Sequence, residues 1–284
     1  MIIIALATLV ISILSTFLGY IFIVSIGCVY LLDKEPRQRI TFYSIICISL
    51  IVLYLSRIIP ILEVSDIFGS VLLVSWIFIH VIKKTEDHSI ALYYGCLSQI
   101  AYGVFRYVLF SGIYQKRVDM IFQGYETFLS SDTIIGNTNG QLESILEQIR
   151  IIMIDYHLAI WSASMIFAVY LATLFFSKRV AFKWQHHLFK LPQSLIYLLI
   201  VALVLALIQF TRVFGLNIVV IISIIMLLQG LAIVDFCCKK HLKNSRLILI
   251  AVIVLIFVNV YFALIVSLLG LIDNWLDIRK INHI

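Results

Sequence analysis

The chemistry open to this chain lies in a few polar side chains set inside, or at the ends of, long apolar runs. A charge or amide held in hydrocarbon must find a partner, so such residues mark ion pairs, substrate or proton pathways, or contacts between helices. Arg57 and Arg106 fall near the outer ends of their runs, where a long side chain can snorkel to the headgroups. Asp155 and His157, one turn into a later run, could pair with either arginine, as a structural ion pair or as part of a substrate or proton pathway. Gln209 and Arg212 close one run, Asn217 opens the next, and Gln229 and Asn259 lie well inside theirs. Amides at that depth are expected to act as helix glue, contributing on the order of 1 kcal/mol per interhelical hydrogen bond. Asp235 should pair locally with Lys239 and Lys240.

The spacings that carry catalysis are missing. The sequence holds no Walker motif, no GxGxxG after a strand, no HExxH, no GxSxG and no kinase signature. The chain is therefore expected not to be an enzyme, to carry no cofactor and to hydrolyse no ATP. His186 and His187 are adjacent, beside Trp184 and Phe189, but a metal site wants three or four converging ligands. Aromatic anchoring at the membrane interface is the preferred reading of that segment. Cys28, Cys47, Cys96, Cys237 and Cys238 form no CxxC and are expected to be free thiols.

The elements that must position these residues follow from composition. Of 284 residues, 63% are hydrophobic and 13% charged, about half the charged fraction of soluble domains. Apolar runs occupy 2–32, 40–61, 67–82, 90–110, 151–176, 194–210, 216–236 and 247–271. The expected fold is all-α: one integral membrane domain over 1–284, a bundle of about eight spans. The 31-residue first run is long for one straight span, so a tilt, a bend near Gly19, or a broken or re-entrant helix is expected there. It lacks a basic n-region and an A-x-A pattern, so it is expected to remain as a span.

Thirteen of the 21 lysines and arginines fall in the odd connections: Lys34, Arg37 and Arg39; Lys83 and Lys84; Lys178, Arg179, Lys183 and Lys190; Lys239, Lys240, Lys243 and Arg246. Those connections should be cytoplasmic, and the +6 net charge reflects topology rather than nucleic-acid binding. With eight spans both termini would lie outside, against which stand Arg279 and Lys280. The long fourth connection, with an extracytoplasmic insertion at 113–150, shows helical periodicity at Val118, Ile121, Phe122, Tyr125 and Phe128. The pattern returns at Leu142, Ile145, Leu146 and Ile149, after a turn at 136–140. Two amphipathic helices are expected there, lying on the lipid interface or forming a lid.

The C-terminal part carries a resemblance. Leu228-Gln229-Gly230-Leu231-Ala232-Ile233-Val234 and Leu269-Gly270-Leu271-Ile272-Asp273-Asn274-Trp275-Leu276-Asp277-Ile278-Arg279 resemble the QGLAVV and GLLDxWxDFR patterns of the YybS-like family of bacterial predicted membrane proteins. Ile278 stands where that pattern has Phe. The resemblance implies a multi-pass protein of the bacterial cytoplasmic membrane. Through a distant likeness to the solute-binding subunits of energy-coupling-factor transporters, it also implies a solute-binding or transport component that relies on a separate coupling ATPase. The alternative is a cell-envelope interaction or scaffold protein. Expected partners are the lipid bilayer and such an ATPase or another membrane protein, with no nucleic acid.

Overall fold

The computed structural model describes residues 1–131, 139–181, 184–241 and 245–279. Residues 136–138 of the expected turn, Lys183, Lys243 and Lys280 lie outside the described residues, as do the side chains of Phe128, Leu142, Lys240 and Arg246. All regular structure among the described residues is helical, the form in which an apolar segment satisfies its backbone internally.

The first run is broken, and at Ser15 rather than Gly19. Ser15 is extended (φ −161°, ψ 117°), and its hydroxyl accepts from Leu18 N at 3.4 Å, so a serine N-cap separates α1 (Ile2–Leu14) from α2 (Thr16–Phe22). α1 doubles back along α2, and Ser12 Cα lies 2.7 Å from where a Gly19 Cβ would sit. Gly19 thus serves the packing of this hairpin, not its bend. A π-helical segment (Ile23–Cys28) joins α2 to α3 (Val29–Leu32), and α4 (Pro36–Leu55) begins with proline at a first-turn position where its missing N–H costs nothing. Next, α5 (Ile61–Asp66), a second π segment (Ile67–Leu73) and α6 (Val74–Thr85) form one 25-residue helix.

α7 (His88–Ser131) is capped by Asp87, whose Oδ1 accepts from Ser89 N at 2.6 Å and Ile90 N at 3.3 Å. Its 44 residues reach about 66 Å at 1.5 Å per residue, twice the hydrocarbon core. The expected separate helix around 118–128 is therefore a continuation of the span. No proline interrupts 111–117, and Gly112 is carried inside the helix without ending it. α8 (Asn139–Asp155) pairs with the far end of α7 through Asp119–Arg150 at 2.8 Å. The end of α7 and α8 thus pack side by side. A break at Tyr156 leads into α9 (His157–Ser177).

The C-terminal part comprises α10 (Ser194–Leu207), a 3-10 turn at Gln209–Thr211, α11 (Arg212–His241), α12 (Ser245–Val258) and α13 (Val260–Leu276). The eighth run is broken at Asn259, extended at φ −138° and ψ 111°, with its side chain capping α13 by accepting from Tyr261 N at 2.9 Å. The reversal makes α13 run parallel to α11: Ser267 Oγ donates to Ser223 O at 2.7 Å, and Gln229 Nε2 to Asp273 Oδ2 at 2.9 Å, numbers rising together on both helices. The short 239–246 connection suggests an antiparallel pair of last spans; the Asn259 break splits the returning run into α12 and α13, and it is α13, parallel to α11, that carries these buried contacts.

Among the described residues, five helices suffice by length and composition to cross a membrane: Pro36–Leu55, Ile61–Thr85, His88–Tyr125, His157–Ser177 and Gln209–Lys239. Shorter apolar helices are Ile2–Leu14, Thr16–Leu32, Ser194–Leu207 and Val260–Leu276. α9 packs on α7 and α2 at one side and on α11 at the other, joining the N-terminal helices to the α10–α11–α13 group.

Candidate functional site

One face of α7 gathers most of the buried polar chemistry of the N-terminal helices. Gly95, Gln99, Tyr102, Gly103 and Arg106 recur at helical spacing and are all buried. Arg106 Nε donates to Asp66 Oδ1 at 2.9 Å, and the Tyr102 hydroxyl donates to the same oxygen at 2.9 Å. The Tyr102 oxygen lies 2.9 Å from Ser65 Oγ. The arginine also lies over the rings of Trp161 (5.3 Å) and Tyr114 (5.6 Å), so its charge is neutralised on one side and covered by aromatic faces on others. Asp66 closes α5 just before the π segment, whose wider turn leaves carbonyls without their usual helical donors. Gln99 Nε2 takes one of them, Ser70 O, at 2.9 Å. Gly69 faces the Tyr102 ring so closely that a methyl group there would overlap it.

Three oxygens along this face have no hydrogen-bond partner although their residues are fully buried: Gln99 Oε1, Tyr20 OH and Ser162 Oγ. Tyr20 OH lies 3.7 Å from a Cβ position at Gly95, and Ser162 Oγ lies against Gly103, so the three sit at successive turns of α7, facing α2 and α9. Further along α7, beyond Arg106, His157 is stacked between Tyr107 (4.9 Å) and Tyr114 (4.6 Å), and its Nδ1–H donates to Ile154 O at 2.8 Å.

A second polar cluster lies at the opposite end, on the face carrying the basic connections. Asp273 and Arg279 form a fully buried ion pair at 2.7 Å. Arg279 also donates to His187 O (2.7 Å) and Phe189 O (2.8 Å), and Gln229 Oε1 accepts from Leu191 N at 3.1 Å. Asp277, left-handed at φ 44°, pairs with Lys190 at 2.9 Å. His186 bridges Tyr170 OH (3.0 Å) and Asp235 (3.3 Å), while Lys239 reaches Asp235 (2.9 Å) and His187 Nδ1 (3.1 Å). Burial, then the neighbouring Lys239 charge, hold the His187 imidazole below its ordinary range. The network rivets the 184–191 segment onto α11 and α13. Among the described residues no cluster of histidine, cysteine, aspartate and glutamate suits a metal ion.

The model of a predicted membrane protein family, DUF2232, matches residues 1–274. The chain belongs to that family. Neither a curated protein nor a solved structure matches the chain.

In this DUF2232 member the polar residues singled out in the sequence divide sharply. Arg106 is paired and buried, but with Asp66, so neither Asp155 nor His157 is its ion-pair partner. Asp155 contributes its backbone: Asn217, fully buried, donates to Asp155 O at 2.7 Å and accepts from Ala159 N at 2.8 Å, tying α11 to α9. Arg57 is exposed in the left-handed turn after α4 (φ 56°), and Gln209 is exposed in the turn before α11. Gln229 is fully buried but bonds Asp273, not Asn259, which is a cap at the exposed Val258–Tyr261 break. Gly230 and Gly270 meet at the α11–α13 crossing, where a methyl on either would overlap Val266 O or Met226 O; Trp275 is exposed. Sequence reasoning passed over Gln99 and Tyr102, and read Asp66, with Glu63, as an acid of the connection before the third run. The signal was Gln99 flanked four residues away on each side by Gly95 and Gly103, with Arg106 two turns on.

Proposed function

We propose that this family member is a non-catalytic multi-pass protein of the bacterial cytoplasmic membrane. In this reading it binds or transports a small polar solute along the buried face of α7 and relies on a separate ATPase for energy. The observation that carries it is the line of unpartnered oxygens at Gln99, Tyr20 and Ser162, running from the Asp66–Arg106 pair. A buried polar atom without a partner costs free energy, and a solute bearing donors would satisfy it. Asp66 and Arg106, an acid and a base inside apolar helices, are the kind of pair that lines substrate or ion paths. The missing Walker motif and the YybS-like resemblance agree with a dependent, energy-coupled component.

The test is uptake of a radiolabelled panel of polar solutes into proteoliposomes, with and without an added coupling ATPase, comparing the native chain with Gln99→Leu. Uptake that requires the ATPase and is lost in Gln99→Leu, with thermal stability kept, supports the reading. A panel with no uptake, together with membrane proteins other than ATPase subunits copurifying, would favour the envelope-scaffold alternative. That alternative draws on the rigid network of the basic face, a built surface for a partner.

A further inference from the structure

Two cavities follow one another along α7, the first against the 184–193 segment and the second against α10. The first, about 840 Å³, is at the basic face, within the roughly 300–1,000 Å³ range of small-molecule sites. It is lined by Glu86 at the end of α6, Asp87 and Tyr94 at the start of α7, Trp184 and Lys190 of the riveted segment, and Gln193 before α10. The second, about 270 Å³, continues along the same helices. Leu97, Ala101 and Val104 of α7 face Leu198 and Ala202 of α10 across it, and Ile218 of α11 lies among its walls. The groove exists because α7 packs on α9 and α10 packs on α11, while α7 and α10 are not closely packed together.

The dimensions and chemistry fit one kind of occupant. From Tyr94 to Val104 the groove runs about 15 Å at 1.5 Å per residue, half of a hydrocarbon core about 30 Å thick. Its length matches one leaflet, with a polar end at the basic face and an apolar end further along α7. Among the charges of the polar cavity, the carboxylates of Glu86 and Asp87 outnumber the ammonium of Lys190, itself 2.9 Å from Asp277. Tyr94 and Trp184 add aromatic faces that attract a cation. We propose that this groove binds one phospholipid from the leaflet at the basic face, with an amine-bearing zwitterionic head in the polar cavity and an acyl chain between α7 and α10. The assignment stands apart from solute transport, since it uses the outer flank of α7, not the face carrying Gln99 and Arg106.

The experiment is photo-crosslinking of the full chain in phosphatidylglycerol vesicles, using trace phosphatidylethanolamine with a photoreactive group in its acyl chain. Adducts should concentrate in peptides containing Leu97–Val104 and Leu195–Leu205, and excess unlabelled phosphatidylethanolamine should displace them. Ala101→Trp, which fills the groove, should abolish them. Ile48→Trp, on the exposed face of α4, should leave them unchanged. Glu86→Gln should remove the advantage of the amine head over the same probe carrying a glycerol head. Adducts spread evenly over the lipid-facing helices, or persisting in a folded Ala101→Trp, would overturn the proposal. If that variant does not fold, the native adduct map and its displacement still decide.

Discussion

At the scale of single residues, polar groups matter here through the partner they find. Asp66 and Arg106 are both buried, so removing one leaves the other charge uncompensated. Asp66→Leu should cost about 3 kcal/mol of unfolding free energy in detergent, while Asp66→Leu with Arg106→Met should recover most of it. Equal losses in the single and double variants would mean the pair is not coupled. The same logic relocates the amide contacts of the C-terminal helices. Gln229→Leu should lose about 1–2 kcal/mol and couple to Asp273→Asn in a double-mutant cycle, with no coupling to Asn259→Leu. His187 supplies a pH dependence. Its Nδ1 accepts from Lys239 only when neutral, and Asp235, His186 and Arg279 are the other charged or titratable groups around it. A folded pKa below the unfolded one means the unfolded chain binds the extra proton, so stability rises with pH through the ordinary histidine range near about 6.5. Hydrogen exchange in 184–191 should accordingly quicken on acidification in the native chain and change less in His187→Gln.

At the scale of elements, close crossings and caps decide what each helix does. Gly270 and Gly230 let the α11 and α13 backbones meet, and the nearest obstacle to an added methyl is rigid backbone. Gly270→Ala should therefore destabilise the chain by about 1–3 kcal/mol. Gly124 on α7 has nothing within 4 Å, so Gly124→Ala should stabilise by about 0.5–1 kcal/mol through helix propensity alone. Thermal melts of both variants check the pair, and a destabilised Gly124→Ala would place that part of α7 against a neighbour. Helix existence was legible from the apolar runs. The breaks were harder to see. Ser15 and Asn259 are ordinary polar residues inside long hydrophobic stretches, and each acts as a cap only because the following helix packs elsewhere: α2 against α9, α13 against α11.

At the scale of the whole molecule, the break at Asn259 brings the C-terminal end to the basic face, where Arg279 bonds the carbonyls of His187 and Phe189. That removes the conflict between the charge of Arg279 and an outside C-terminus. A C-terminal green fluorescent protein fusion should fluoresce in cells, and an alkaline phosphatase fusion at the same point should be inactive. A single cysteine at Gly124, in a background without native cysteines, should react with an impermeant reagent from outside, and one at Lys34 should not. The opposite pattern would invert the assignment. Composition by itself determined the solvent of this protein and its helical class, because each follows from the cost of leaving backbone or charge in hydrocarbon; the sidedness of its charged connections is the expectation that those fusions and labels test. Which polar residues meet was decided only by the tertiary structure. A buried Asp66 looks from the sequence like a loop acid, and an exposed Asn259 looks like helix glue. Partner choice depends on how helices far apart in the chain are rotated and offset against one another, and a single run of residues does not encode that.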